Sequence, residues 1–312
     1  MDPPQRSGGP TLGPTTDVGL RIFQLNMRCS SMCLVLLTRH LDTYCADVLL
    51  LQDPPEGLVS GEDCPAGYDL YLPPHDLSIE TCHTPPLVAI LIRSTLRAQA
   101  IPFSHPRVCG VFVSTARHPL ALLSTYIHHT DGGGLDALAS LVTLAHCSTP
   151  LLLVGADANG HSPWWGPPHM PTNLVGRHME EFILNSQLGL ANCWPCPPTY
   201  RGAMPDHFSW IDITLTSFPL APFVSSWRVL PDEALESDHS LLEYTLTLET
   251  PRIHETPLHG VVLIGVTFVL LSVMPWTPIA PYPFHFRVQP ILMPLPPPWT
   301  QLSKTLLPTM FL

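Results

Sequence analysis

Lysine is almost missing from this sequence: Lys304 is the only one, and Lys and Arg together number 14 against 25 Asp and Glu, a net charge of −11. Before Arg252 the imbalance is steeper, 11 basic against 24 acidic residues. That argues against a tight, passive grip on nucleic acid through a basic surface, because phosphate neutralisation supplies most of such affinity. It also leaves no basic nuclear signal. It does not exclude a cation-bridged approach to phosphate, since a bound cation inverts the local sign of an acidic site. A secretory signal is missing too, so the nine cysteines read as reduced thiols rather than a disulfide framework. Only Cys29/Cys33 and Cys193/Cys196 are close pairs, and neither has the partners a structural zinc site needs.

Long apolar runs are also lacking. Residues 256–286 hold no Asp, Glu, Lys or Arg, and 261–274 are almost wholly apolar. A spanning helix needs about 20 such residues, and Pro275, Pro278, Pro281 and Pro283 crowd the end of this stretch. A membrane anchor is therefore a minor alternative for the tail.

What is present is a core-forming middle. Hydrophobic residues make up 45% and charged ones 12%, enough for one large domain. Prolines concentrate at the ends, 12 after residue 250 and four before residue 15. We expect a disordered leader over 1–18, a folded domain over 19–250, and a Pro-rich hydrophobic tail over 251–312. Within the domain, alternation and short apolar runs predict strands at 20–25, 47–51, 87–92, 108–113, 120–126, 151–154, 211–215, 227–230 and 241–248. Helical spacing predicts helices over 33–44, 135–146 and 175–187, the last closed by Gly189. Strands joined partly by hairpin-length turns indicate an α/β sandwich with mixed sheets, not a doubly wound parallel sheet.

The most informative stretch is 151–166, LLLVGADANGHSPWWG. Its apolar run delivers Asp157, Asn159 and His161 to a strand end, where chemistry is commonly mounted. In an extended segment Asp157 and Asn159 project to one side, an acceptor and a donor for a phosphate, a metal or an attacking water. An Asx turn explains the same pair without chemistry. Other strand ends carry Asn26, Asp53, Tyr126, Thr199, Asp212 and the triplet Ser237, Asp238, His239. Together these supply oxygen ligands, phosphate donors and a histidine with a carboxylate partner, the groups metal-assisted phosphodiester cleavage requires.

In this order the motifs LRIFQLN (20–26), ADVLLLQDP (46–54), STY (124–126), VGADANGHSPWWG (154–166), PTY (198–200), SWIDITL (209–215) and ESDHSLL (236–242) resemble the endonuclease/exonuclease/phosphatase superfamily. Within it, N-x-H-S-P-x-W-G and S-x-I-D-x-T-L resemble the apurinic-endonuclease-like domain of non-LTR retrotransposons. The resemblance covers about residues 19–249 and implies a four-layer αββα sandwich. It implies Asn26, Asp53 and Asp238 around Mg²⁺, for which Mn²⁺ can substitute. Tyr126, Thr199, Ser237 and Arg28 would contact phosphate, Asp157 with Asn159 would position the attacking water, and His239, oriented by Asp212, would stabilise phosphate oxygens. The implied partner is DNA, nicked to leave a 3′-hydroxyl for a reverse transcriptase supplied elsewhere, and the implied location is nuclear.

The sequence departs from the family's pattern at Asp53, where the motif L-Q-E-P has glutamate. One methylene fewer withdraws the carboxylate by about 1.5 Å, and Mg²⁺ holds its ligands within a narrow range near 2.1 Å. A lowered metal affinity and rate are expected. The alternatives are a degenerate, weakly active or inactive copy whose tail is read past its last homologous residue, and a phosphatase of the same superfamily.

Overall fold

The structure, a computed structural model, describes residues 17–44, 46–74, 85–128, 133–204, 207–231 and 235–252. The expected leader as far as residue 16, and the tail beyond 252 with its apolar stretch, lie outside the described residues. In chain order the elements are β1 (Asp17–Asn26), α1 (Ser31–Tyr44), β2 (Val48–Gln52), α2 (Glu56–Val59), β3 (Tyr68–Tyr71), β4 (Val88–Arg93), β5 (Ala98–Ala100), β6 (Val108–Val113), β7 (Leu120–Tyr126) and α3 (Gly133–His146). They continue with β8 (Leu151–Asp157), α4 (Leu174–Asn185), β9 (Leu188–Leu190), β10 (Tyr200–Arg201), β11 (Phe208–Ser209), β12 (Asp212–Ser217), β13 (Val224–Leu230) and β14 (Leu241–Thr250). No helix of the described residues is long and apolar enough to cross a membrane.

Two six-stranded sheets form, in the orders β13-β14-β1-β2-β4-β3 and β5-β6-β7-β8-β12-β9, with β10-β11 as a separate hairpin. Only β1-β2 and β7-β8 pair in parallel, so both sheets are mixed. Strand alternation sorts the apolar residues onto two faces. Leu20 and Ile22 of β1, Val48 and Leu50 of β2, Leu120 and Leu122 of β7, and Leu151 and Leu153 of β8 meet in the core between the sheets. The intervening Phe23, Leu25, Leu49 and Leu51 pack under Leu34 and Leu37 of α1. On the other side Leu152 and Val154 lie under Leu138 and Leu141 of α3 and Phe182 of α4. The layers are thus α, β, β, α, and both sheets are buried on both faces, which is why their strands read as nearly continuous apolar runs.

Several boundaries shift for identifiable reasons. Asp17 and Val18, expected in the leader, pair with Thr250 and Glu249 in β14. At the other end Arg252 bridges to Leu96 and donates to Asp47 at 2.8 Å, so ordered packing extends past 250. Helix α1 begins at Ser31 because Ser30 Oγ accepts from Cys33 N–H, a side-chain cap. Helix α4 ends at Asn185, not at Gln187, and Gly189 does not close it. Gln187 takes the left-handed conformation (φ 54°) and Gly189 lies within β9. Short, half-exposed strands β3, β5, β9, β10 and β11 have no periodicity long enough to predict.

Candidate active site

The core alternation carries through to the strand ends and becomes polar there. After Leu20 and Ile22 the inward positions of β1 are Gln24 and Asn26. After Leu120 and Leu122 those of β7 are Ser124 and Tyr126, and β8 continues from Leu151 and Leu153 to Gly155 and Asp157. On antiparallel β12 the inward positions begin with Asp212 and Thr214. A layer of amides and hydroxyls therefore separates the apolar core from the site. Gln24 Nε2 donates to the carbonyls of Ala156 and Ile213, both at 3.2 Å, while its Oε1 accepts from Thr214 Oγ1 at 3.0 Å. Gln52 Nε2 donates to Ser124 Oγ at 3.0 Å. At Gly155 a β-carbon would lie 2.8 Å from Leu50 Cδ1 and 2.9 Å from Gln24 Oε1, so any larger residue would have to displace these two side chains from between the sheets.

Above this layer Asn26 joins the sheets. Its Nδ2 donates to Asp157 Oδ2 at 2.8 Å and stands 3.5 Å from Asp53 Oδ2, and its Oδ1 accepts from Arg28 N–H at 2.8 Å. The loops that carry the site hold several non-glycine residues at positive φ: Arg28, Cys29, Asp53, Asn159 and Glu236. Such conformations persist only where the surroundings impose them, and they collect at functional sites. Asn159 departs from the expected extended geometry. At φ 46° its N–H donates to Asp157 Oδ1 at 3.2 Å, an Asx turn, and its Nδ2 donates to the Ile127 carbonyl at 3.0 Å. The turn nonetheless leaves both Asp157 and Asn159 lining one cavity.

Asp157 and Asp212 are register partners across β8 and β12, both about 1% exposed. His239 Nδ1 contacts both Asp212 oxygens, at 3.1 and 2.9 Å. Tyr200 stacks edge to face on the His239 ring, centroids 5.0 Å apart. Burial and then the neighbouring Asp212 charge push the Asp157 carboxyl up to about 7. Burial alone would lower His239, but Asp212, by charge and by hydrogen bond, holds it raised at about 9. Asp157 thus sits near its titration point at neutral pH while His239 remains an imidazolium. Burial, then Asp53 and Asp157, push the Tyr126 phenol up to about 12, so it stays a donor.

The cavity these residues line measures about 350 Å³ and includes Asn26, Arg28, Asp53, Tyr126, Asp157, Asn159, Asp238 and His239. Two expected phosphate contacts do not line it. Thr199 is fully buried, and its Oγ1 accepts from the N–H groups of Ile211 and Asp212, each at 3.0 Å, fixing the start of β12. Ser237 Oγ donates to the Asn26 carbonyl at 2.7 Å and accepts from His239 N–H at 3.1 Å, pinning the His239 loop to β1. Arg28 does reach the cavity, 3.5 Å from Asp238 Oδ2, with its side chain 69% exposed. His161, expected beside Asp157 and Asn159 but given no role, lines the cavity, and so do Tyr200, His207 and Ser209, which were not singled out as candidates. His161, Tyr200 and Ser209 stand inside quoted motifs, whereas His207 lies between β10 and β11, in a hairpin that carries no periodic signal.

The donor set suits a hard cation. Asp53 and Asp238 offer carboxylate oxygens to the cavity, and burial raises Asp53; Asn26 also lines it, with its Oδ1 accepting from Arg28 N–H and its Nδ2 turned to Asp157 and Asp53. Asp157, Asp212 and His239 also have ligand atoms within 4.8 Å of one another, a group that could hold a metal. There, however, the Nδ1 of His239 and an oxygen of Asp212 are already committed to each other.

Residues 120–243 match the family described as endonuclease-reverse transcriptase. The fold is similar to the endonuclease domain of TRAS1, a telomere-specific non-LTR retrotransposon, with a TM-score of 0.61 and 21% identity over 74% of this chain and 99% of that one. It is similar to the AP endonuclease LMAP of Leishmania major (TM-score 0.57, 14% identity, 74% and 88% covered). It also resembles the 3′-5′ exonuclease NExo of Neisseria meningitidis (0.55, 18%, 72% and 98%). No curated protein matches the sequence.

Proposed function

We propose that this chain, a member of the endonuclease/exonuclease/phosphatase superfamily by its fold and by the match of residues 120–243, is a divalent-metal-dependent DNA endonuclease of a non-LTR retrotransposon. It nicks target DNA by phosphodiester hydrolysis and leaves a 3′-hydroxyl primer. The observation that carries the reading is the opposed pair at the ends of β8 and β12. The buried Asp157 carboxylate, held by Asn26 Nδ2, lies beside His239, whose Nδ1 is held by Asp212, and Asp157 and His239 both border a cavity rimmed by oxygen donors.

The residues divide the work as follows. Asp157, held by Asn26 Nδ2 and by the Asn159 N–H, takes a proton from the attacking water. The water oxygen bonds to phosphorus, the P–O3′ bond breaks, and the departing 3′ oxygen takes its proton from solvent water, while Asp157 later returns its own proton to solvent. His239, whose Nδ1–H is spent on Asp212, presents its Nε2–H to a non-bridging phosphate oxygen and offsets the charge that grows in the transition state. Tyr126, kept protonated, donates to the same phosphate. Arg28 meets the DNA backbone. Thr199 and Ser237 act one step back, holding Asp212 and His239 in place. Asn26, Asp53 and Asp238 would hold Mg²⁺ or Mn²⁺, which supplies charge neutralisation for the phosphate.

Relaxation of supercoiled plasmid by the purified chain in Mg²⁺ tests this reading. Nicking that Asp157→Ala reduces at least about a thousandfold supports it, given that positioned acid–base groups supply about 10²–10⁴-fold. A folded, inert wild type would sink it. One observation favours a second reading, a weakened copy of an intact scaffold. Asp53 Oδ2 stands 3.5 Å from Asn26 Nδ2, the outer limit of a hydrogen bond, where Asp157 approaches the same amide to 2.8 Å.

A further inference from the structure

A second open cavity, about 560 Å³, adjoins the cleft, and its walls are of a different chemistry. Trp194, Phe208, Trp210 and Met170 line it, together with prolines of the 167–171 loop, and no carboxylate is among the lining residues. His161 borders both cavities, so the aromatic walls continue directly from the site of Asp157 and His239. Trp210 is fixed: its Nε1–H donates to the Cys196 carbonyl at 3.1 Å. Trp194 stands edge-on to it, ring centroids 5.8 Å apart at 69°. Trp194 and Phe208 are 43% and 45% exposed and stand on one cavity wall with Trp210, not scattered singly.

We infer that this cavity is a stacking subsite for an unpaired nucleobase of the strand whose phosphate enters the cleft. The inference rests on the endonuclease reading and specifies how that site holds its substrate. A chain with net charge −11 and one lysine gains little from phosphate neutralisation, so affinity has to come from contacts that need no cationic side chain. Base–aromatic stacking is such a contact, it tolerates any base, and it is worth about tenfold or more in affinity per stacked base. A paired base inside a duplex already has both faces covered, whereas an unpaired one offers a free face to Trp194 and Phe208. The lining, mostly aromatic and proline and free of carboxylates, repels neither the base nor its sugar, while the acidic cleft next to it is left to the phosphate.

The test uses the full chain and gapped duplex oligonucleotides in which 2-aminopurine, or an abasic spacer, is moved along the single-stranded gap. We expect one position within a few nucleotides of the cleaved phosphate where fluorescence changes on binding and where the abasic spacer weakens binding by about tenfold. Trp194→Ala and Phe208→Ala should each reduce that preference for a base to about twofold or less, and Trp194→Phe should restore most of it. Thermal melting checks that the variants fold. Nicking without any base-dependent position, or a preference that survives both alanine variants, overturns the subsite and leaves the endonuclease reading intact. A chain that neither binds nor nicks any oligonucleotide overturns both.

Discussion

Asp157 and Asp212 are neighbours across the antiparallel β8-β12 pair, yet His239 lies against Asp212 alone, at 2.9 Å. The asymmetry separates two like charges by function. Asp212 spends its charge on an imidazolium. Asp157, left with the desolvation and with its neighbour's field, is driven toward neutrality.

A bell-shaped dependence of kcat/KM on pH should result. Activity should rise as Asp157 loses its proton through about 7 and fall as His239 loses its own through about 9. Rates of plasmid nicking between pH 5.5 and 10 at saturating metal measure both limbs. A profile that is flat across pH 6–10 contradicts the assignment.

Asp212→Asn removes the charge that keeps His239 raised. The basic limb should move down toward the ordinary histidine value of about 6.5, and nicking at pH 8 should fall by about a hundredfold. Titration of the His239 ring protons by NMR checks the shift independently of activity.

Folding takes up protons at both groups. Because the folded values of Asp157 and His239 lie above their ordinary ones, each stabilises the fold fully at low pH and loses that contribution as pH rises through about 7 and about 9. Asp157→Asn, which cannot ionise, should therefore flatten the fall in melting temperature between pH 5 and 8 while abolishing nicking. An unchanged slope would mean that Asp157 is not held protonated by the fold.

Asp53→Glu returns the missing methylene at a loop position whose backbone is already fixed by hydrogen bonds to Leu87 and Cys29. Half-maximal nicking should occur at an Mg²⁺ concentration lower by about tenfold, since near-ideal octahedral ligand placement decides Mg²⁺ affinity. Metal titration of nicking, with calorimetry of Mn²⁺ binding beside it, reads the change.

Gln24→Met keeps the volume but deletes the bonds that tie β1 to Ala156, Ile213 and Thr214. The cost should be about 2–3 kcal/mol in urea unfolding, because a buried hydroxyl loses its acceptor and two carbonyls lose a donor. Activity should fall too, since the same strands carry Asn26, Asp157 and Asp212.

The architecture was legible wherever apolar runs of strand length are bounded by turn residues. Strands β6 and β7 match their expected bounds, and the mixed sheets follow from the hairpin-length turns. Short edge strands were not legible, since three residues carry no period. Most of the site could be read, because its residues end the apolar runs, but their division of labour could not. Thr199 and Ser237 look like phosphate donors in sequence, and only the folded loops reveal that their hydroxyls hold Asp212, Asn26 and His239. Asn159 illustrates the same limit: alternation assumes an extended chain, and its left-handed turn obeys the Asx rule instead. The β10-β11 hairpin contributes His207 from a segment whose position depends on contacts distant in sequence.

The site inherits its orientation from the counting of residues along the strands, with Asn26, Tyr126 and Asp157 each standing an even number of steps beyond an inward-facing leucine or isoleucine. A lineage of such chains would therefore decay unevenly. Loss of a single codon inside β1, β7 or β8 would turn every later side chain of that strand over, carrying Asn26, Tyr126 or Asp157 out of the cleft to the face covered by helices. The same loss in the loops at the opposite end of the sandwich would pass unnoticed, so in-frame deletions surviving in active copies should be confined to that end.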